Sequence, residues 1–567
     1  MINNKATKYS IYAAIAPLIL CLTTNVLGGT YYVDFAAGND NNPGDSTSLP
    51  WRTIPGTRTL SGTAWLRADY GRGAVSSSSK LPFGTVIKLK RGTTYNASLG
   101  GFIWIDKYFY ADGATATNAV VIQAAEAWGT GPVTFDAIGI PTAVTLFQVQ
   151  LDGLTIDGKT TGGIVLKNCA IGGLTVKEKA GTGEPVDKCT LVNLKFFNNG
   201  WSFLTDKAGA GSGQLSARKA IDLRIENVVL DGDQNFVNGI ILGDNHMAVV
   251  NAVVQNCESF NHKGDLANND SGIGFKAFNS QILFMGDRSH DNLKGFDLGE
   301  QSGDNVNITY TLLNCTTYSN CWGANMNCTG TAAYTGLVNY YVINTLLYNN
   351  SVEGINAYSG PFNLHVVHSV FANNGGNPGT GKGSGHLRVT PDDRADAGAI
   401  RAHLYNNIYY KAYYTALTTS WFERATNTFT LDSDYNGYVR GGTELFCRWA
   451  LYQASECRDF AFGANGPGRP LGQWSTFYGN NAVPPFTPGT GHFGSDTHSK
   501  GTGAEDPTLP QFMNPGANDF RLVVNYPGAN LQAQPWYIPA MGFDRNGAAR
   551  VGWDMGVFDS GGGAFHN

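Results

Sequence analysis

From residue 196 to residue 407 one short phrase keeps returning: an apolar run, an Asn-rich corner, a Gly, and a second short run of alternating character. The copies are Phe196-Phe197-Asn198-Asn199-Gly200, Ser259-Phe260-Asn261-His262, Ser289-His290-Asp291-Asn292, Tyr318-Ser319-Asn320, Leu347-Tyr348-Asn349-Asn350, Phe371-Ala372-Asn373-Asn374 and Leu404-Tyr405-Asn406-Asn407. Corners at Asn292, Asn320, Asn350 and Asn374 lie 28, 30 and 24 residues apart, the period of a supersecondary unit and not of a helix. A unit this short cannot bury its apolar side chains alone. It must stack on its neighbours, each strand hydrogen-bonding to the equivalent strand one rung away. Asn suits the corner twice over, because it tolerates the left-handed backbone region and its amide can bond the next rung. Val, Ile, Phe, Tyr and Leu fill the runs, and long patterns of period 3.6 are missing. These features predict an all-β chain, a right-handed parallel β-helix with an N-terminal cap and a loop-rich C-terminal segment. Leucine-rich and ankyrin signatures are absent, and a β-propeller would need blades of about forty residues.

Composition agrees with a body of many tight corners: 72 of 567 residues are Gly and only 15% are charged. With 39 Lys and Arg against 44 Asp and Glu, the net charge of −5 gives no basic footprint for nucleic acid. Residues 1–28 have the layout of a secretory signal: Lys5 and Lys8, an apolar stretch from Ile11 to Leu22, then small residues. The stretch is too short for a comfortable membrane span. We therefore expect a secreted protein, extracellular or periplasmic, with no membrane contact once the signal is removed, and monomeric. Rungs are expected over 29–425, with terminal rungs and a loop-rich cap packed on the helix over 426–567.

Cys21 falls in the signal, leaving Cys169, Cys189, Cys257, Cys315, Cys321, Cys328, Cys447 and Cys457. Asn168-Cys169, Asn256-Cys257 and Asn314-Cys315 share a context that reads as an inward position, where Cys behaves as a small buried hydrophobe. Cys447 and Cys457 lie outside the repeat and are candidates for a disulfide. No spacing reads as a zinc site. The Gly-rich stretch from Gly209 to Gly213 lacks the Lys-Ser/Thr of a phosphate loop.

Aligning rungs on Gly239, Gly272, Gly295, Gly323 and Gly354 gives, two residues later, Ile241, Gly274, Asp297, Asn325 and Asn356. Four residues later come Gly243, Lys276, Gly299, Asn327 and Tyr358. Strand alternation puts both series on the outer face, and the apolar residues between them, such as Phe275, Phe296 and Met326, inside. Rungs about 4.8 Å apart make Lys276, Asp297, Asn325, Asn327, Asn356 and Tyr358 one patch, bordered by Asp244 and Glu300. Such a patch suits a sugar chain lying along the solenoid: amides and carboxylates bond hydroxyls, and Tyr358 or Trp322 offers a platform for a ring. Arg388, with His386, can extend it from a later rung. His262 and His290 read first as corner residues.

Asp270-Ser271-Gly272-Ile273-Gly274-Phe275-Lys276 and His290-Asp291-Asn292-Leu293-Lys294-Gly295-Phe296-Asp297-Leu298 resemble the central coils of polysaccharide lyase family 9, secreted calcium-dependent pectate lyases. The segment around Tyr31-Tyr32-Val33 and Pro50-Trp51-Arg52 resembles the N-terminal part of many secreted β-helical carbohydrate-active enzymes. In the family an Asp-Asp-Gly-aromatic-Asp-Leu segment supplies calcium ligands and a Lys on a later coil removes a proton. Asp297 matches the last of those carboxylates and Asp270 lies beside another. Leu293 and Lys294 stand in place of the paired acids, and Asn325 or Asn327 stands near the expected Lys. Calcium takes six to eight oxygens, so the resemblance implies a calcium site that is either depleted or rebuilt from Asp270, Asp291, Asp297 and Glu300.

Two mechanisms suit these residues. Elimination needs a base beside a neutralised uronate carboxylate, here Lys276 with Asn325 and Asn356 as donors. Hydrolysis needs two carboxyl groups, for which Asp297 with Glu300 or Asp244 qualifies. The expected partner is an acidic, pectate-like polysaccharide cleaved by elimination. A glycoside hydrolase and a non-catalytic glycan-binding protein are the alternatives.

Overall fold

A computed structural model of the chain describes residues 28–66, 80–113, 120–140, 145–200, 213–243, 249–264, 271–300, 308–328, 337–359, 361–375, 385–390, 400–412, 415–422, 429–439, 445–452, 457–461, 500–502, 512–523, 528–535, 537–545, 549–550 and 556. It is a right-handed parallel β-helix: three sheets of 13 strands each, every sheet drawing one strand from each successive coil. In one coil the chain runs through Ile308–Leu313 of the first sheet, Thr316–Tyr318 of the second and Trp322–Cys328 of the third. The next coil repeats the path with Val338–Ile343, Leu346–Tyr348 and Glu353–Ser359, each pairing in parallel with its counterpart. Parallel strands demand crossovers, and here the crossover is the other two walls of the coil.

Inward side chains form columns one rung apart. Phe275 lies on Phe296 with ring centroids 4.9 Å apart and planes within 13°, and Tyr409 lies on Tyr438 at 4.9 Å. Phe284, Leu312, Val342, Val366 and Leu404 make a fully buried apolar column from the first sheet. Burial at about 25 cal/mol per Å² of apolar surface is the main force holding coil on coil.

The corner chemistry divides between neighbours. The left-handed residue is the first of each pair: Asn261, Asp291, Ser319, Asn349 and Asn373 all have φ between +53° and +60°. The second residue, buried, builds the ladder. Asn292 N–H donates to Asn320 Oδ1 (3.0 Å), Asn320 N–H to Asn350 Oδ1 (3.2 Å) and Asn350 N–H to Asn374 Oδ1 (3.0 Å). Their Nδ2 groups donate backward, Asn320 to Ser289 O at 3.1 Å and Asn374 to Leu347 O at 2.8 Å. His262 heads this ladder, its N–H donating to Asn292 Oδ1 at 3.0 Å. Asn407 belongs to a different corner, between the first and second sheets, where it pairs with Asn436. Cys257 and Cys315 also sit at that corner, whereas Cys169 sits with the Asn199 ladder, so the three are buried but not one column.

The last coils run through Phe429–Asp434, Gly437–Val439 and Leu445–Tyr452, and Cys457–Ala461 closes the third sheet antiparallel. Cys457 faces Ala450 and Cys447 faces Phe460. Three ladder positions at about 3.4 Å each put the two cysteines beyond the ~7 Å Cα limit of a disulfide. The expected pairing is therefore corrected: the register keeps them apart. Further on, the chain returns along the solenoid. Phe512, Phe520 and Leu522 pack on Leu346, Val370 and Ile408, and Leu531 and Met541 pack on Ile343 and Val367. Arg545 donates to Cys315 O at 2.8 Å and to Asn344 O at 3.2 Å, tying two coils together. The expected signal, residues 1–28, lies outside the described residues except for its last position. Among the described residues no helix is long and apolar enough to cross a membrane.

Candidate functional site

The third sheet carries the candidate residues, and its register differs from the alignment on glycines. Ile241 pairs with Lys276, Lys276 with Asp297, Asp297 with Asn325, Asn325 with Asn356 and Asn356 with Arg388. Lys276 is thus in the same outward column as Asp297, and not two residues further along the strand as alignment on Gly272 places it. Gly272, with φ +76°, belongs to the turn before the strand, and Gly274 is the true counterpart of Gly295. A second outward column holds Asn327 and Tyr358, paired with each other and half-buried, with Phe278 and Gly299 in the two coils before.

Glycine is required beside the corner. A Cβ on Gly295 would stand 2.4 Å from Thr317 Oγ1 and 3.1 Å from Asn320 Nδ2. The glycine column therefore turns inward against the Asn ladder, and Phe296 after it is inward too. Two inward residues in succession break the alternation. The residue before each glycine consequently returns to the outside: Lys294, Trp322 and Glu353 form a third outward column in register. Sequence reasoning passed over Lys294 and Glu353 as site residues. The residue preceding the strand glycine was the available signal, but one extra residue between Asn350 and Glu353 obscures the spacing.

Lys294 Nζ donates to Asp297 Oδ2 at 3.2 Å, with both side chains under 10% exposed. Asn325 Nδ2 donates to Asp297 Oδ1 at 2.6 Å, and Asn356 Nδ2 to Asn325 Oδ1 at 3.0 Å. Lys276, also nearly buried, holds its Nζ 4.9 Å from the Phe278 ring centre. One coil further, Glu353 is 1% exposed; Trp322 Nε1 donates to its Oε2 at 3.1 Å, and Arg388 approaches Oε1 at 3.5 Å. Trp322 packs with Leu293 and Val352, so its indole is a wall of the site and not an open platform. His386 is wholly buried beside Asn374, and burial pushes it down to about 3. The described side chains of the five strands from Ile273–Phe278 to Gly385–Thr390 carry three cations, Lys276, Lys294 and Arg388, against two carboxylates, Asp297 and Glu353.

Of the expected calcium ligands, Asp291 and Asp297 lie among the described side chains and are not brought together. Asp291 sits at the corner of the second sheet, its Oδ2 2.7 Å from His290 Nδ1 in a ring stack of Phe260, His290, Tyr318 and Tyr348. Asp297 lies on the third sheet with an ammonium against one oxygen and an amide against the other. Among the described residues no group of three His, Cys, Asp or Glu can hold a metal ion. Asp270 and Asp244 lie outside the described residues, as does the side chain of Glu300. The described residues therefore do not fit calcium: the position beside Asp297 is filled by a cation of the protein's own.

No protein-family profile and no curated protein sequence matches the chain. Among solved structures, pectate lyase Pel9A is 15% identical, covering 94% of this chain and 96% of that one at a TM-score of 0.41. A rhamnogalacturonan lyase is 13% identical over 76% and 89% at 0.37, and the periplasmic alginate epimerase AlgG 10% identical over 68% and 81% at 0.31. Identities and scores this low assign neither chemistry nor substrate. The class is that of the fold, a right-handed parallel β-helix protein.

Proposed function

We propose that this chain is a secreted polysaccharide lyase that cleaves a uronic-acid-containing, pectate-like glycan by β-elimination. The observation that carries the reading is the outward column Lys276, Asp297, Asn325, Asn356 and Arg388 on five successive strands, which sets an amine, a carboxylate, two amides and a guanidinium along one line. A polymer laid along the sheet meets one such position about every 4.8 Å, close to the repeat of a sugar chain. Lys276 serves as the base that takes the proton on the carbon beside the uronate carboxylate. Charge developing on that carboxylate is met by the cations and amides of the column, in a recessed site where such contacts are strongest. The C–O bond to the leaving sugar then breaks, that oxygen takes a proton from water or the one Lys276 removed, and a carbon–carbon double bond remains in the new end.

Hydrolysis is less well served. Both oxygens of Asp297 accept hydrogen bonds, and Glu353 is held by Trp322 and Arg388, so neither described carboxyl is presented to protonate a leaving group. The test is a panel of pectate, alginate and neutral glycans followed for ultraviolet absorbance and for reducing ends. Both signals together support elimination. Reducing ends alone mean hydrolysis, and binding with neither signal means a non-catalytic glycan-binding protein.

A further inference from the structure

The Lys294–Asp297 pair replaces an acid by a base inside the motif itself. Where the lyase family carries Asp-Asp-Gly-aromatic-Asp-Leu, this chain reads Leu293-Lys294-Gly295-Phe296-Asp297-Leu298. Because Gly295 and Phe296 both turn inward, residue 294 is outward again and three positions from Asp297 on the same wall. A carboxylate there would repel Asp297 unless a divalent ion sat between them. An ammonium there is drawn to it, and Nζ lies 3.2 Å from Oδ2. Lys294 is 4% exposed and its Cα neighbours on the adjacent strands are Ile273 and Trp322, one apolar and one aromatic. A cation so placed is poorly screened by water, and one carboxylate oxygen does not exhaust its three donors.

We propose that Lys294 is a resident cation doing the work a divalent metal would do at this position: it holds Asp297 in place and binds an anionic group of the ligand, a sugar carboxylate, without calcium. This rests on the reading above for the identity of the ligand, but not for the statement about the metal. The role is a positioning and specificity role; no bond is made or broken at Lys294.

Two measurements separate the claims. In the first, wild type, Lys294→Met, Lys294→Arg and Asp297→Asn are melted in calcium and in chelator. Wild type and Asp297→Asn should show the same response to calcium, because no calcium sits at Asp297. A calcium-dependent rise in the wild-type melting temperature that Asp297→Asn abolishes would overturn the proposal, whatever the protein's activity. In the second, binding of an oligogalacturonate is measured by calorimetry. Wild-type affinity should be unchanged between calcium and chelator. Lys294→Met should lose tenfold or more, and Lys294→Arg should keep most of it. Affinity that requires calcium, or that Lys294→Met leaves intact, refutes the proposal. If wild type binds no uronate in either buffer, the elimination reading fails, and the melting comparison still decides whether Lys294 excludes the metal.

Discussion

Asn325 on one strand donates its amide to Asp297 on the preceding strand at 2.6 Å, and Asn356 on the following strand donates to Asn325 at 3.0 Å. The two amides point the same way along the solenoid and end on the carboxylate, so each orients the next. Buried hydrogen-bonded chains of this kind lose more than one bond when a member is removed. Asn325→Leu should therefore lower turnover and weaken sugar binding together, while far-ultraviolet circular dichroism stays unchanged. Unaltered kinetics would remove this relay from the site.

Lys276→Ala should reduce elimination roughly 100- to 10,000-fold, the range of a lost general base. Asp297→Asn, which keeps the shape but leaves Lys294 without its carboxylate, should also impair turnover. Initial rates of absorbance growth on pectate report both, and full activity in both variants would place the chemistry elsewhere.

Asn320→Ala removes the acceptor of Asn292 N–H and the donor to Ser289 O inside the coil. Buried backbone groups left unpaired cost about 1–3 kcal/mol each, so a loss of roughly 2–6 kcal/mol is expected in denaturant unfolding. The left-handed partner behaves differently. Asn349, at φ +54°, should tolerate Gly with little change but lose about 1–2 kcal/mol to Val, whose Cβ strains that conformation.

Burial pushes Asp287 well above the usual carboxylate range, although Cys257 N–H and Met285 N–H donate to it at 2.7 and 3.0 Å. The native chain keeps that proton above pH 4 while the unfolded chain releases it, so the residue makes stability fall as pH rises from about 4 toward the native value. Asp287→Asn should then raise the unfolding midpoint at pH 7 and not at pH 3.5.

Burial also pushes His262, His365 and His386 down to about 3. Below pH 6.5 the unfolded chain takes up protons that these rings refuse, so stability is lost as pH falls from about 6.5 to about 3. Acid unfolding near pH 5 should be accompanied by proton uptake, and His262→Asn, which suits the head of the Asn ladder, should reduce it. An equal uptake in the variant would show that His262 titrates normally.

The repeat alone determined the solenoid, because a phrase of 24 to 30 residues with an Asn corner has no way to bury its apolar runs except by stacking. The outward column was legible as well: Asp297, Asn325 and Asn356 follow from strand alternation. Alternation was also what failed. At Gly295 two successive residues turn inward to make room for Asn320 and Phe296, and that brings Lys294 and Glu353 outside, where a period of two places them inside. The turn glycine Gly272 looks like a strand glycine until pairing shows which residue faces Asp297. Cross-strand register, the division of labour at each corner and the cation beside Asp297 were decided only in three dimensions. They depend on contacts between coils some thirty residues apart, and a local pattern does not carry which atom of the next rung each side chain will meet.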